Sequence, residues 1–283
     1  MTSANASARR AGSTAEHGAQ RAANSKTLEW LTRFGFVCYG VLHLLLAYLV
    51  VQIAFGGGSQ EGDQSGAFKK VAEQPFGKVV LIVMIVGLAG MAIWQALLAV
   101  VGHRNQRGKM RVFERIASGA RAVVYIVLAV TAGKVVAGAP ASSAGSQQHA
   151  TQGVMAKPAG VWLVALAGVV VLAVGAGMAW YGLKRKFESK LHTERMSVRA
   201  RKAARRLGQI GYAGKGAAFA IVGVLLIDAA VTHNPSESRG LDAAFRTVAG
   251  QPFGVAGLIV IAIGFLAYGL FCFFQSRYRK VGT

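Results

Sequence analysis

The sequence predicts an all-α, polytopic membrane protein with six transmembrane helices, arranged as three parallel helical-hairpin repeats. Composition, the lengths of the apolar blocks and an internal repeat lead to this prediction. Of the 283 residues, 53% are hydrophobic and only 15% are charged, whereas soluble proteins carry roughly 25% charged residues. Six apolar blocks each reach the length of about 20 residues that a membrane-spanning helix requires. The predicted spans are 34–55, 76–101, 114–137, 159–183, 207–231 and 253–274.

The internal repeat is most evident in a four-residue motif, Gln-Pro-Phe-Gly, that occurs twice. Its two copies are Gln74, Pro75, Phe76, Gly77 and Gln251, Pro252, Phe253, Gly254. An apolar run with glycines at the same interval follows each copy. Self-similarity of this kind predicts an array of like structural units.

A second shared pattern, Arg-x-Gly-x-x-x-Tyr, opens the first helix of the outer two repeats, at Arg33 and at Arg206. In the middle repeat Arg115 matches, but Arg121 stands where the other repeats have tyrosine. Each repeat crosses the membrane twice, so all three share one orientation, and any axis relating them lies along the membrane normal. The predicted domains are a disordered cytoplasmic tail at 1–27, repeat one at 28–104, repeat two at 112–187, a basic cytoplasmic linker at 188–203 and repeat three at 204–281.

The Gln-Pro-Phe-Gly motif predicts a turn that returns the chain into the bilayer. Proline favours the first position of a helix, and the residue before a proline is disfavoured in helical geometry. The preceding segment, 241–248, places apolar residues at i, i+3, i+4 and i+7, which predicts a short amphipathic helix on the outer face. This structural role is favoured over ligand binding.

The distribution of basic residues predicts the orientation. Of the 32 Lys and Arg residues, 23 lie before the first span, between the second and third, from 184 to 206, or after the sixth. The intervening loops are nearly neutral, and this alternation is the positive-inside pattern. It predicts a multi-pass protein of the plasma membrane with both termini in the cytoplasm. The net charge of +21 therefore marks orientation, and no nucleic-acid partner is predicted.

These motifs resemble those of bacterial membrane proteins that carry the domain of unknown function 1206. The resemblance covers residues 28–281 and is most specific in Gly-Leu-Asp-Ala-Ala-Phe-Arg at 240–246. It implies three tandem copies of a two-helix unit. The middle repeat departs from the pattern, with Lys-Pro-Ala-Gly at 157–160 in place of Gln-Pro-Phe-Gly. The resemblance implies an architecture and no activity.

Four ionisable residues within the spans, His43, Arg121, Lys215 and Asp228, are functional candidates because charge inside a membrane is costly. His43 lies about 15 Å along a helix from Arg33, near the midplane. It is either a proton relay or solute ligand, or a neutral imidazole bonded to a neighbouring helix. Arg121 and Lys215 are expected to extend toward the cytoplasmic surface, and Asp228 toward the outer one. Alternatively, His43 and Lys215 face a shared central cavity.

Motifs of the common enzyme classes are absent: the sequence has no His-Glu-x-x-His, Gly-x-Ser-x-Gly, phosphate loop or Cys-x-x-Cys. We therefore expect no catalysis, cofactor or metal, and expect Cys38 and Cys272 to be packing residues. The first predicted function is an integral membrane protein that acts through lipid or partner contacts. Each basic residue at the cytoplasmic face adds about 1 kcal/mol of attraction to anionic lipid headgroups. The sequence does not identify a protein partner. The alternative is a small-solute or ion transporter or channel with a midplane site near His43 and Lys215.

Overall fold

The computed structural model describes residues 25–57, 60–103, 108–238 and 240–281. Its six long helices are α1 Lys26–Ala54, α3 Gly77–Val101, α4 Gly108–Val136, α6 Gly160–Leu183, α7 Val198–Val231 and α9 Gly254–Tyr278. All six are long and apolar enough to cross a membrane, which confirms the predicted number of spans. The predicted tail at 1–27 falls almost entirely outside the described residues, as do Arg104 and Arg107 of the basic segment between α3 and α4.

Shorter helices connect the spans. They are α2 Gln64–Ala72, α5 Ser143–Met155 and α8 Gly240–Ala249, with 3-10 turns at Lys186–Lys190, Thr193–Arg195 and Pro235–Ser238. No β-strand forms within the described ranges; there is only an isolated antiparallel bridge between Leu191 and Arg279. Each of α2, α5 and α8 lies between the two spans of one repeat.

The first helix of each repeat begins six to nine residues before its predicted span. For α1 and α7 the cause is a serine cap. The Ser25 hydroxyl accepts from the N–H of Leu28, and the Ser197 hydroxyl accepts from the N–H of Ala200, both at 3.2 Å. Hydropathy detects the apolar part of a helix, whereas the cap sets where the helix begins.

The six spans form an incomplete ring in chain order. α1 packs on α3, α3 on α4, α6 on α7, α7 on α9, and α9 back on α1. The remaining neighbouring pair, α4 and α6 of the middle repeat, is not among the closely packed helix pairs of the described structure. We call the gap between α4 and α6 the seam.

Glycines set the close approach of helices around this ring. A Cβ atom added to Gly264 of α9 would lie 2.6 Å from the Cα of Gly214 on α7. Gly40 of α1 and Gly269 of α9 are similarly paired, each with its added Cβ 2.9 Å from the carbonyl oxygen of the other. Small residues permit such contacts in a bilayer, where helix association depends on van der Waals packing.

The repeated Gln-Pro-Phe-Gly motif forms a four-residue turn. Proline was expected at the first helical position, but α3 begins at Gly77, two residues after Pro75. The N–H of Gly77 donates to the carbonyl oxygen of Gln74 at 2.8 Å, which places Pro75 at the second position of the turn, where its fixed φ fits. An added Cβ on Gly77 would collide with the carbonyl oxygen of Val71, so the glycine is required by the close approach of α2.

The three short helices α2, α5 and α8 cover one end of the bundle, and we call them the loop layer. Phe68 of α2 and Phe245 of α8 are fully buried, so these amphipathic helices pack inward on the spans. The N–H of Gly62 donates to the Asp242 carboxylate at 2.8 Å, and the N–H of Ser143 donates to the Ser65 hydroxyl at 3.1 Å. These bonds connect the loops of all three repeats.

We expect Asp242→Ala to destabilise the fold. Asp242 is 1% exposed and accepts from Gly62 and from the guanidinium of Arg246 at 3.0 Å, so its loss leaves a buried N–H unpaired. The expected decrease in unfolding free energy is about 1–3 kcal/mol, measured by unfolding in mild detergent. Asp228→Ala is the matched control because Asp228 is exposed; equal losses in both variants would contradict the role given to Asp242.

Candidate functional site

The structure brings two of the four ionisable candidates together and leaves two apart. His43 on α1 is 2% exposed and Lys215 on α7 is 8% exposed, and both lie in the bundle interior. Asp228 is exposed, three residues before the end of α7. Arg121 on α4 is half-buried and lies 3.8 Å from the carboxylate of Glu114.

Lys215 points into the bundle, contrary to the expectation that it extends toward the surface. Its ammonium donates to the Tyr39 hydroxyl at 2.8 Å and lies 4.4 Å from the centre of the Tyr268 ring, a distance typical of a cation–π contact. The helix face explains this direction: Gly211 and Ala218, at i−4 and i+3, are both buried. The lysine therefore lies on the packed face of α7, and its side chain is buried in the bundle.

His43 bonds within its own helix rather than to a neighbouring one. Its Nδ1 lies 2.8 Å from the carbonyl oxygen of Tyr39. A carbonyl oxygen only accepts, so this bond requires Nδ1 to carry a proton. The imidazole ring centre is 4.3 Å from that of Tyr39 and 4.7 Å from that of Tyr268. The histidine thus shares Tyr39 and Tyr268 with Lys215.

All three repeats contribute to this cluster, which we call the central site: Tyr39, His43, Tyr125, Lys215 and Tyr268. The Tyr125 ring of α4 lies 5.3 Å from the Tyr39 ring, edge to face. Sequence reasoning did not identify Tyr268 as a site residue, because a single tyrosine in an apolar helix carries no signal of what it faces. Tyr125 could have been found, since it occupies in repeat two the position that His43 occupies in repeat one.

The central site contains a cationic group without an acidic counterpart. Among the described residues, the ion pairs of Lys, Arg and His with Asp or Glu do not include Lys215. Aromatic faces and a phenol oxygen offset only part of the cost of burying an ammonium group. Such a site can accept an anion or exchange a proton. No group of three or more His, Cys, Asp or Glu side chains within the described ranges is placed to hold a metal.

The end opposite the loop layer is basic, and a short segment crosses it. The span α6 ends at Leu183, and Arg185, two residues later, adopts the left-handed backbone conformation, with a φ of 56°, that commonly follows a helix end. The 3-10 turn that follows, Lys186–Lys190, is here called the strap. Its Phe187 is 1% exposed, and its last lysine lies 3.4 Å from the carboxylate of Glu114 on α4. The strap therefore links the end of α6 to α4 across the basic end.

Three segments of the chain match the family model described as Domain of Unknown Function (DUF1206): residues 34–102, 116–185 and 210–279. Together they make up more than half of the chain. The chain belongs to the DUF1206 family. Each matched segment of this DUF1206 protein holds two spans and one loop-layer helix, so the family unit corresponds to the helical-hairpin repeat.

One relative of the DUF1206 protein is "Uncharacterized protein YxxB" of Bacillus subtilis (strain 168). The two are 30% identical over 264 residues, which cover 90% of this chain and 94% of the relative. No solved structure matches significantly. The three matched segments each contribute to the central site: the first contributes Tyr39 and His43, the second Tyr125, and the third Lys215.

Proposed function

We propose that this DUF1206 protein is a non-catalytic transporter or channel that binds an anionic solute at the central site. The observation that carries the proposal is the buried ammonium of Lys215, held by Tyr39 and facing Tyr268. An ionisable residue inside a membrane bundle is costly and is most often retained where it serves binding or proton movement. A solute anion supplies the opposite charge that the surrounding side chains do not.

The position of the site supports a role in passage across the bilayer. Lys215 lies eight residues past Leu207, where the predicted span begins, which is about 12 Å into an apolar core about 30 Å thick, so it is near the midplane. Helices from all three repeats meet around it, as expected for transporter sites formed between repeats at mid-membrane. Small rotations of one repeat against another would change access to Lys215.

The proposal includes an orientation in the plasma membrane. The basic end, with Arg33, Glu114 and the strap, lies in the cytoplasm, and the loop layer faces outward. The positive-inside pattern supports this arrangement. In the structure the start of α1 and the end of α9 meet at the basic end, where the Arg33 guanidinium donates to the carbonyl oxygens of Ser276 and Arg277 at 2.6 Å each.

Binding to anionic lipid at the cytoplasmic face is the second candidate function. The strap and the following turn expose Lys186 and Arg195 to solvent, at the end where lipid phosphates would lie. Each such residue adds about 1 kcal/mol of attraction near an anionic surface. This role needs no central site, so Lys215 distinguishes the two candidates.

We expect anions to stabilise the protein through Lys215. In a neutral detergent, melting is followed by intrinsic fluorescence while sodium chloride, phosphate, butyrate and octanoate are titrated at constant ionic strength. A bound anion at 100 times its Kd adds about 2.7 kcal/mol to the stability. Lys215→Gln should remove the stabilisation by whichever salt acts. Lys134→Gln, at an exposed position of α4, should retain it; equal responses in both variants would contradict the proposal.

A further inference from the structure

We propose that the solute is an amphiphilic anion, a long-chain carboxylate, which reaches the central site from within the bilayer through the seam between α4 and α6. The inference rests on the proposed anion site and adds the chemical class of its ligand and its route. It follows from three features: the incomplete ring, the closed ends of the seam, and the aromatic surroundings of Lys215.

The incomplete ring exposes the two helices that flank the seam. Within an apolar stretch of 18 residues in each span, 17% of the residues of α6 and 28% of those of α4 are buried, whereas 39% to 61% are buried in the other four spans. The buried residues of α6 are Gly160, Val164, Gly168, Gly175 and Gly182. Gly168 and Gly175 pack on α7, and no α6 residue is packed in the main core with Tyr125 of α4. The seam thus opens to lipid chains along the middle of the bundle.

Other segments of the chain cover both ends of the seam. At the basic end, Glu114 of α4 pairs with Lys190 of the strap that follows α6. At the loop layer, α5 begins beside α2, where the N–H of Ser143 donates to the Ser65 hydroxyl, and α5 then packs against α6. A hydrated ion entering from either end meets these contacts, whereas between the two ends α4 and α6 expose large apolar side chains such as Val127 and Val169 to lipid.

The central site matches both parts of an amphiphile. Lys215 and the Tyr39 hydroxyl provide a cation and a hydrogen-bonding group for a carboxylate. The buried residues of α4 are Ser118, Ala122, Tyr125, Leu128 and Ala132. From Tyr125 toward the loop layer this buried face is apolar, and the serine lies on it toward the basic end. A headgroup at Lys215 therefore leaves an alkyl chain directed along α4 toward the seam.

The test uses spin-labelled stearic acid and its methyl ester with the full chain in nanodiscs of neutral phosphatidylcholine. Electron paramagnetic resonance measures the motionally restricted fraction of each probe. Stearate should bind about tenfold more tightly than the ester, since only the acid carries the charge. Lys215→Gln should abolish that preference and Lys134→Gln should preserve it. Equal restriction of acid and ester in the wild-type protein would overturn the proposal.

The route is tested by a bulky side chain on the face that carries Tyr125. Ala129 is partly buried against the main core at i+4 from Tyr125, and Val130 is 52% exposed on the lipid side. Ala129→Trp should remove the restricted stearate signal and Val130→Trp should not. Unchanged stearate binding in a folded Ala129→Trp variant would overturn entry through the seam.

A photoreactive stearate covers the case in which Ala129→Trp fails to fold. Cross-linking to the wild-type protein, followed by peptide mapping, should label α4 and α6; labels confined to the outer faces of other spans would contradict the route. If short anions stabilise the protein through Lys215 but stearate behaves like its ester, the lateral route fails and the anion site stands. If neither acts through Lys215, both proposals fail.

Discussion

Replacing Gly264 by leucine should cost about 3 kcal/mol or more of unfolding free energy, because the new side chain enters a backbone contact that has no space for it. An added Cβ already lies 2.6 Å from the Cα of Gly214 on α7. The two helices would have to separate, and Tyr268, one turn further along α9, would move away from Lys215. Unfolding in mild detergent and size-exclusion chromatography measure this effect.

The control for that variant is a glycine in a span with nothing beside it. A Cβ added to Gly177 of α6 meets no atom within 4 Å. Gly177→Leu should therefore leave stability unchanged or raise it slightly, since leucine favours a helix over glycine by about 0.8 kcal/mol. Equal destabilisation in both variants would show that leucine in any span is harmful and that the α7–α9 contact is not special.

Lys215→Met should preserve or raise stability by up to about 2 kcal/mol while abolishing stabilisation by anions. Burying an ammonium group costs several kcal/mol, and a desolvated cation–π contact returns about 2 kcal/mol of that cost. Methionine has a similar length and shape, so the packing around Tyr39 and Tyr268 is retained. Melting curves with and without the stabilising anion measure both effects.

The opposite outcome for Lys215→Met is informative. A loss of stability larger than about 2 kcal/mol would show that Lys215 serves the fold, as a tie between α1, α7 and α9. Lys134→Met controls for loss of positive charge, because Lys134 is exposed in the last turn of α4. A stable variant that has lost its anion response is expected when a residue is retained for function at a cost to stability.

The architecture was predictable from the sequence because apolar block length and the Gln-Pro-Phe-Gly repeat are local signals. Hydropathy reports whether a stretch can cross a bilayer, and the repeat reports how many units there are. Helix starts were less predictable, since Ser197 caps α7 ten residues before its apolar block begins. The position of proline in the motif was also missed, because the contact between Gly77 and Val71 is made between two helices.

The central site was only half accessible to sequence reasoning. His43 and Lys215 could be identified as costly residues inside a membrane, but the direction of Lys215 depends on which face of α7 is packed. That face is selected by contacts such as the one between Gly211 and Tyr268, which link residues far apart in the chain. Whether His43 and Lys215 act in binding stays a prediction that the anion titration tests.

The seam also bears on how the middle copy of a triplicated unit can diverge. Helices that pack on both sides must keep matching surfaces, so a change in one calls for a change in its partner. α4 and α6 each pack closely on a single neighbouring span, and most of their remaining surface meets lipid, where many apolar side chains are equivalent. A duplicated segment in that position is free to drift. The middle copy is also the one that departs from the shared pattern, with Arg121 in place of tyrosine and Lys-Pro-Ala-Gly at 157–160 in place of Gln-Pro-Phe-Gly.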